Sequence, residues 1–162
     1  MKSQPEGLQG RVMSQSLASI LVHIIFSTKS RQPLIHADII KDLHLYLAAI
    51  ARSYGVQVHE VGGIEDHVHL LISLPRTLTV SKIVEEVKKG SSKWMKTKGA
   101  SYLSFSWQNG YGAFSIGQSN FNVLRQYIQN QREHHKSTSF QEEYRSFLKK
   151  YDIAFDEKYV WE

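Results

Sequence analysis

Two hydrophobic periods alternate along the chain. In "SILVHIIFS", Ile20, Val22, Ile24 and Phe26 fall on one face and Leu21, His23 and Ile25 on the other, the period of a strand buried on both sides. "HADIIKDLHLYLAAIARSYG" then places Ile39, Leu43, Leu47, Ile50 and Tyr54 at helical spacing, with Gly55 as a C-terminal cap. "VQVHEVGGI" and "HVHLLISL" return to the strand period, with "GGIED" as the turn or bend between them. After Pro75, a stripe of Val80, Ile83, Val84, Val87, Ser91 and Trp94 predicts a second helix whose other face carries Lys82, Glu85, Lys89, Lys93 and Lys96. "FSWQNGYGAFSI" predicts a further strand pair or a bent strand. "SNFNVLRQYIQNQREHH" predicts a third helix capped by Ser119 or Asn120, and "SFQEEYRSFLKKYD" a fourth. The order strand, helix, strand, strand, helix, strand, then further helices favours an α+β fold: a ferredoxin-like (RRM-like) antiparallel sheet with two helices on one face.

The strand period also sorts the chemistry. Val68, Leu70, Ile72 and Leu74 form an all-apolar face that must meet the two helices, which turns His67, His69, Leu71 and Ser73 to the opposite face. Two imidazoles at i and i+2 on one strand can reach one metal ion, although paired histidines can equally be half-exposed polar residues. A third ligand is available in "YIQNQ", where Tyr127 and Gln131 stand at i and i+4 and project from one face of the third helix. Taken alone, Tyr127 reads as an amphipathic core residue.

At 162 residues and 41% hydrophobic, the chain suits one domain, placed here at residues 17–162. Residues 1–16, "MKSQPEGLQGRVMSQS", are expected to be a flexible segment, with Met13 a candidate true start. The net charge of +5 suits a polyanionic partner. The absence of cysteine excludes disulfides, thiolate metal sites and cysteine nucleophiles. No run of residues is apolar enough for a membrane span or a signal peptide, so a cytoplasmic protein with no membrane association is expected.

"HVH" resembles the His-hydrophobic-His motif of the HUH endonuclease superfamily. "YIQNQREHH" is similar to the catalytic helix of its smallest members, the single-tyrosine transposases of single-strand insertion sequences and the REP-associated tyrosine transposases. The resemblance runs from about Leu17 onward and includes "FSTKSRQPLI", "WQNGYGAFSI" and "FDEKYVWE". It implies a single HUH domain with the catalytic helix on the other face of the sheet. It also implies that Tyr127 is the nucleophile, that His67, His69 and Gln131 hold a divalent metal (Mg²⁺ or Mn²⁺), and that the substrate is single-stranded DNA with hairpin ends. The expected activity is DNA transposition by cleavage and rejoining through a 5′-phosphotyrosine, in a homodimer whose active sites assemble in cis or in trans. A hard cation on a phosphate oxygen neutralises developing charge, and a ligand set with open positions suits Mg²⁺ or Mn²⁺ better than a closed structural Zn²⁺ site.

Candidate DNA contacts are Lys29 and Arg31 after the first strand, Lys89, Lys93 and Lys96 on the second helix, and Arg125 and Arg132 beside the tyrosine. His134 and His135 suit the C-terminal end of the helix dipole as well as they suit catalysis. Two other readings share these residues. A non-catalytic RRM-like single-strand binder would use "NGYGAFSI", but that aromatic motif belongs on the third strand, which here is "HVHLLISL". A small metal-dependent hydrolase would add His59 or His23 to the pair.

Overall fold

The computed structural model describes residues 15–162, so nearly all of the expected N-terminal segment, Met13 included, lies outside the described residues. Among the described residues, strands β1 (Leu21–Ser27), β2 (Gln57–Ile64), β3 (His67–Ser73) and β4 (Gly112–Ile116) form one antiparallel sheet in the order β2-β3-β1-β4. Helix α1 (Ile40–Ser53) links β1 to β2, and α2 (Val80–Lys96) follows β3. This is the ferredoxin-like split arrangement that the element order predicts. β1 is central and buried along its whole length, as its apolar run on both faces requires. None of the helices among the described residues is long and apolar enough to cross a membrane.

Val22, Ile24 and Phe26 of β1 and Val68, Leu70 and Ile72 of β3 pack against Leu43 and Leu47 of α1 and Ile83, Val84 and Val87 of α2. Helices α3 (Phe121–Gln129), α4 (Gln131–His134) and α5 (Phe140–Lys150) cover the other face. There Leu71 meets Leu124 and Ile128, while Ile25 and Phe114 meet Phe140, Tyr144 and Leu148. His67 and His69 are therefore fully buried rather than half-exposed. Ser139 caps α5 in a reciprocal box with Glu142, which fixes where the covering helix starts.

Two segments differ from the sequence expectation, and a third takes one of its two alternatives. The turn between β2 and β3 is only Glu65 and Asp66, and Gly62 and Gly63 are strand residues. Gly62 is needed where it stands because a Cβ there would run into the backbone carbonyl and side chain of Ile128 on α3. "FSWQNGYGAFSI" takes the bent-strand alternative rather than the pair: β4 pairs with β1, a lone bridge joins Trp107 to Thr28 directly after β1, and the residues between them lie outside the ladder. Its first half is pinned to α2 instead: Trp107 Nε1 donates to Ser91 Oγ at 2.9 Å, and Lys88 Nζ donates to the carbonyls of Gln108 and Gly110 at 2.8 and 2.6 Å. The third helix is not continuous. It breaks at Asn130 (φ −98°, ψ 22°) into α3 and α4; Asn120 stands at the N-cap position of α3, but its side chain makes no capping bond, and residues 118–120 form a tight turn leading directly into the helix.

Candidate metal and nucleophile site

Sheet register brings the polar residues of the second face together. His67 pairs with Ser27 and His69 with Ile25, so the two imidazoles stand next to each other at one end of β3, with His23 on the adjoining strand. His67 Nδ1 lies 2.7 Å from Asp66 Oδ1, and His69 Nδ1 lies 2.8 Å from His23 Nε2. If each Nδ1 carries the proton, both Nε2 atoms are left as lone pairs. They point to one place: His67 Nε2 is 2.9 Å from Gln131 Oε1, and His69 Nε2 is 3.0 Å from Glu143 Oε1.

The break at Asn130 keeps Tyr127 and Gln131 converging on this spot. The Gln131 amide nitrogen reaches the Tyr127 carbonyl at 3.4 Å and Glu143 Oε2 at 3.2 Å. The Tyr127 hydroxyl donates to Glu143 Oε2 and lies 3.0 Å from His134 Nε2. His135 Nδ1 donates to the Thr138 carbonyl at 2.6 Å, which turns its Nε2 to Gln131 Oε1 at 3.0 Å and to Glu143 at 3.2 Å. His134 and His135 thus belong to the site rather than only to a helix end.

Glu143 is the member that sequence reading missed. It is a buried carboxylate on α5, encircled by His67, His69, His134 and His135. A signal for it exists: along α5 the buried stripe runs Phe140, Glu143, Tyr144, Leu148, so Glu143 is the one acidic residue on an apolar face. Burial alone would raise its carboxyl, but hydrogen bonds from His135, His67 and His69 outweigh that and hold it well below the usual carboxylate range. Burial would lower His67, yet Asp66 and Glu143 push it up to about 9. Burial lowers His69 and takes His23 well below the usual imidazole value. For Tyr127, burial and then the Glu143 charge raise the phenol above its ordinary range.

The donor chemistry fits a cation. Imidazole lone pairs facing a carboxylate and an amide oxygen require positive charge between them, supplied either by protons or by a metal ion. One donor atom each from His67, His69, His135 and Glu143 lies within 4.8 Å of all the others. Ligands held ~2.0–2.2 Å from one ion span little less than that. The carboxylate also changes the expected balance: an all-neutral set of two histidines and Gln131 gains a negative charge.

The basic candidates scatter. Lys29 and Arg31 follow β1 at the end where Ser27 pairs with His67, and the Arg31 guanidinium lies 5.3 Å from the Trp161 ring centre. Arg125 and Arg132 flank the tyrosine but are paired with Glu60 and Glu65 at 3.1 and 2.8 Å. Lys89, Lys93 and Lys96 sit on α2, in the layer on the other side of the sheet, and Lys96 is tied to the Phe105 carbonyl at 2.7 Å. His59 is remote from the cluster and bonds to Ser73 Oγ at 2.7 Å.

Residues 16–131 match the family model described as "Transposase IS200 like". Among solved structures, a candidate transposase from Deinococcus radiodurans R1 superposes with a TM-score of 0.57 at 23% identity, over 76% of this chain and 96% of that one. A REP-associated tyrosine transposase bound to a REP hairpin superposes with a TM-score of 0.57 at 14% identity, over 78% of this chain and 74% of that one. At these identities the two structures speak to the fold. No curated protein matches the chain.

Proposed function

The chain belongs to the IS200-like transposase family, and from that premise we propose that it cleaves and rejoins single-stranded DNA through a 5′-phosphotyrosine on Tyr127, with a divalent cation held by His67, His69 and Gln131. The observation that carries this reading is the convergence of the Tyr127 hydroxyl, both strand histidines and Gln131 on one buried point at Glu143. His135 and Glu143 are the further candidate ligands. Of the two ions expected, Mn²⁺ suits this imidazole-rich set better than Mg²⁺, which prefers oxygen donors and retains several waters. A cation bound there would supply positive charge against the oxygens of the attacked phosphate and offset Glu143.

Tyr127 Oη attacks the phosphorus, and its proton passes to His134, whose Nε2 lies 3.0 Å away. His134 is partly open to solvent and can hand the proton outward. The bond from phosphorus to the 3′ oxygen breaks, and that oxygen takes up a proton and leaves as a free 3′-OH. Tyr127 retains the 5′-phosphate, so the phosphodiester energy is kept for attack by the 3′-OH of a second strand. Burial and the Glu143 charge both raise the phenol and oppose its ionisation, and a bound cation would act in the opposite sense.

We propose hairpin-ended single strands as the substrate, in keeping with the REP hairpin held by the structurally similar transposase. Lys29 and Arg31 are the basic candidates placed beside the site. A homodimer is the assembly implied by the family resemblance, although a single chain already brings all of these groups together. The test uses stem-loop oligonucleotides with Mn²⁺. Tyr127→Phe should bind the stem-loop as the wild type does and form no covalent adduct. An adduct surviving in Tyr127→Phe would assign the nucleophile elsewhere. Cleavage without any adduct would indicate the hydrolase, and binding alone the RRM-like module.

A further inference from the structure

A cavity of about 480 Å³ opens between α3 and α5, and the Tyr127, His134 and Glu143 side chains form part of its lining. That volume falls in the roughly 300–1,000 Å³ range of small-ligand sites. Phe147 and Tyr151 line it from the C-terminal side. Both rings are braced from behind by Phe114, at ring separations of 5.6 and 4.8 Å and interplanar angles of 24° and 21°. Phe147 also meets His23 edge-on at 5.1 Å. These aromatic groups are consequently fixed before any ligand arrives. Polar side chains complete the lining: Thr138, Ser146 and Asn120, whose side chain does not cap the helix it precedes. Exposed Lys150 adds a cation.

We propose that this cavity is a nucleobase subsite, which seats the base of one nucleotide flanking the phosphate attacked by Tyr127. The proposal rests on Tyr127 being the nucleophile. A flat apolar ring needs aromatic faces to stack on, and its edge needs a few hydrogen-bonding groups; the cavity offers both next to the reacting hydroxyl. Lys150 is suited to the neighbouring backbone phosphate. Most of the lining belongs to residues beyond 131, outside the stretch that matches the family. Base preference at the cleavage position is therefore written in the C-terminal helix of this chain, separately from the chemistry of β3 and α3.

Ser146 is exposed on α5 and lines the cavity, so Ser146→Trp fills it without disturbing the core. Two measurements on the full chain decide the matter. In the first, saturation-transfer NMR is run with dAMP, dGMP, dCMP and dTMP as probes. At least one should bind the wild type, and Ser146→Trp should weaken it roughly tenfold or more, the scale of one lost base stack. No binding of any probe, or equal binding by the variant, overturns the subsite. In the second, a randomised single-stranded pool is incubated with Mn²⁺ and the DNA bordering the covalent junction is sequenced. The wild type should show a base preference at one nucleotide flanking the broken bond, and among the fewer adducts that Ser146→Trp forms that position should be flattened. An unchanged preference overturns the proposal. If neither protein forms an adduct, the Tyr127 reading fails, and the mononucleotide measurement still decides whether the cavity takes a base.

Discussion

Nδ1 of His69 is anchored by His23, and Nδ1 of His67 by Asp66. Removing either anchor frees an imidazole to change tautomer and to turn, which costs metal affinity without removing a ligand. His23→Phe keeps the aromatic volume between Phe114 and Phe147 and should lower Mn²⁺ affinity about 10–100-fold by calorimetry, with the sheet intact. Asp66→Asn should act in the same direction. Wild-type affinity in both variants would mean that the anchors do not set the ligand geometry. His23 was visible in the sequence only as a histidine on a strand face, where it read as an alternative ligand. Its role as a support depends on the cross-strand register, which no single strand carries. Glu143 was hidden differently: next to Glu142 in a charged helix it looks like surface, and only the stripe position separates the two.

The seat of α3 rests on a missing side chain. Because a Cβ at residue 62 would strike the Ile128 carbonyl, Gly62→Ala must shift the helix that carries Tyr127. A displacement on the order of 1 Å costs roughly 100-fold in a positioned reaction. Adduct formation should fall by about that factor while stem-loop binding holds, and a wild-type rate would show that α3 has slack. On the other side of the sheet, α1 carries a different liability. His44 Nε2 is buried with no hydrogen-bond partner among the described residues, and burial lowers its pKa to about 4. The unfolded chain titrates this group near 6.5, so the unfolded state binds the extra proton between the two values. Stability should therefore fall as pH drops from about 6.5 toward 4, by at most ~3 kcal/mol from this residue. His44→Leu should shrink the loss of melting temperature between pH 7 and pH 5. An equal loss in both proteins would assign the acid sensitivity to the buried His23 and His69, which shift in the same direction.

The whole molecule is a sheet covered on both faces, and this was partly legible. A first strand apolar at Leu21 and Ile25 as well as at Val22 and Ile24 announces a second covering layer, and the i, i+4 pair Tyr127 and Gln131 indicates which helix faces the histidines. The break at Asn130 was not legible, because the close seat of α3 on β2 overrides local helix preference there. The approach to α3 contains Gly110, Gly112 and Gly117 and is nevertheless held at several points. Lys88 grips the carbonyl of Gly110, and Gly112 packs so closely on Tyr144 that a Cβ would clash. With Tyr127 already over the histidines of its own chain, mixing Tyr127→Phe and His67→Ala subunits should not restore cleavage, even where light scattering reports a dimer. Restored adduct in the mixture would place the helix on the partner subunit.

Glu143 stands 74 residues after His69, and that distance is also an interval of time. At roughly 5–20 residues per second of synthesis, the carboxylate leaves the ribosome on the order of 4–15 s after the histidine it meets. For most of that interval the nascent chain has only its histidine pair in hand, since Tyr127 and Gln131 precede Glu143 by just 16 and 12 residues, while the sheet face bearing Ile25 and Leu71 waits for α5. The residue that draws the imidazoles and the tyrosine into one cluster arrives on the same helix that seals them from water. Assembly of the buried cluster and burial of the sticky face are thus a single event, timed by the translation of one late segment.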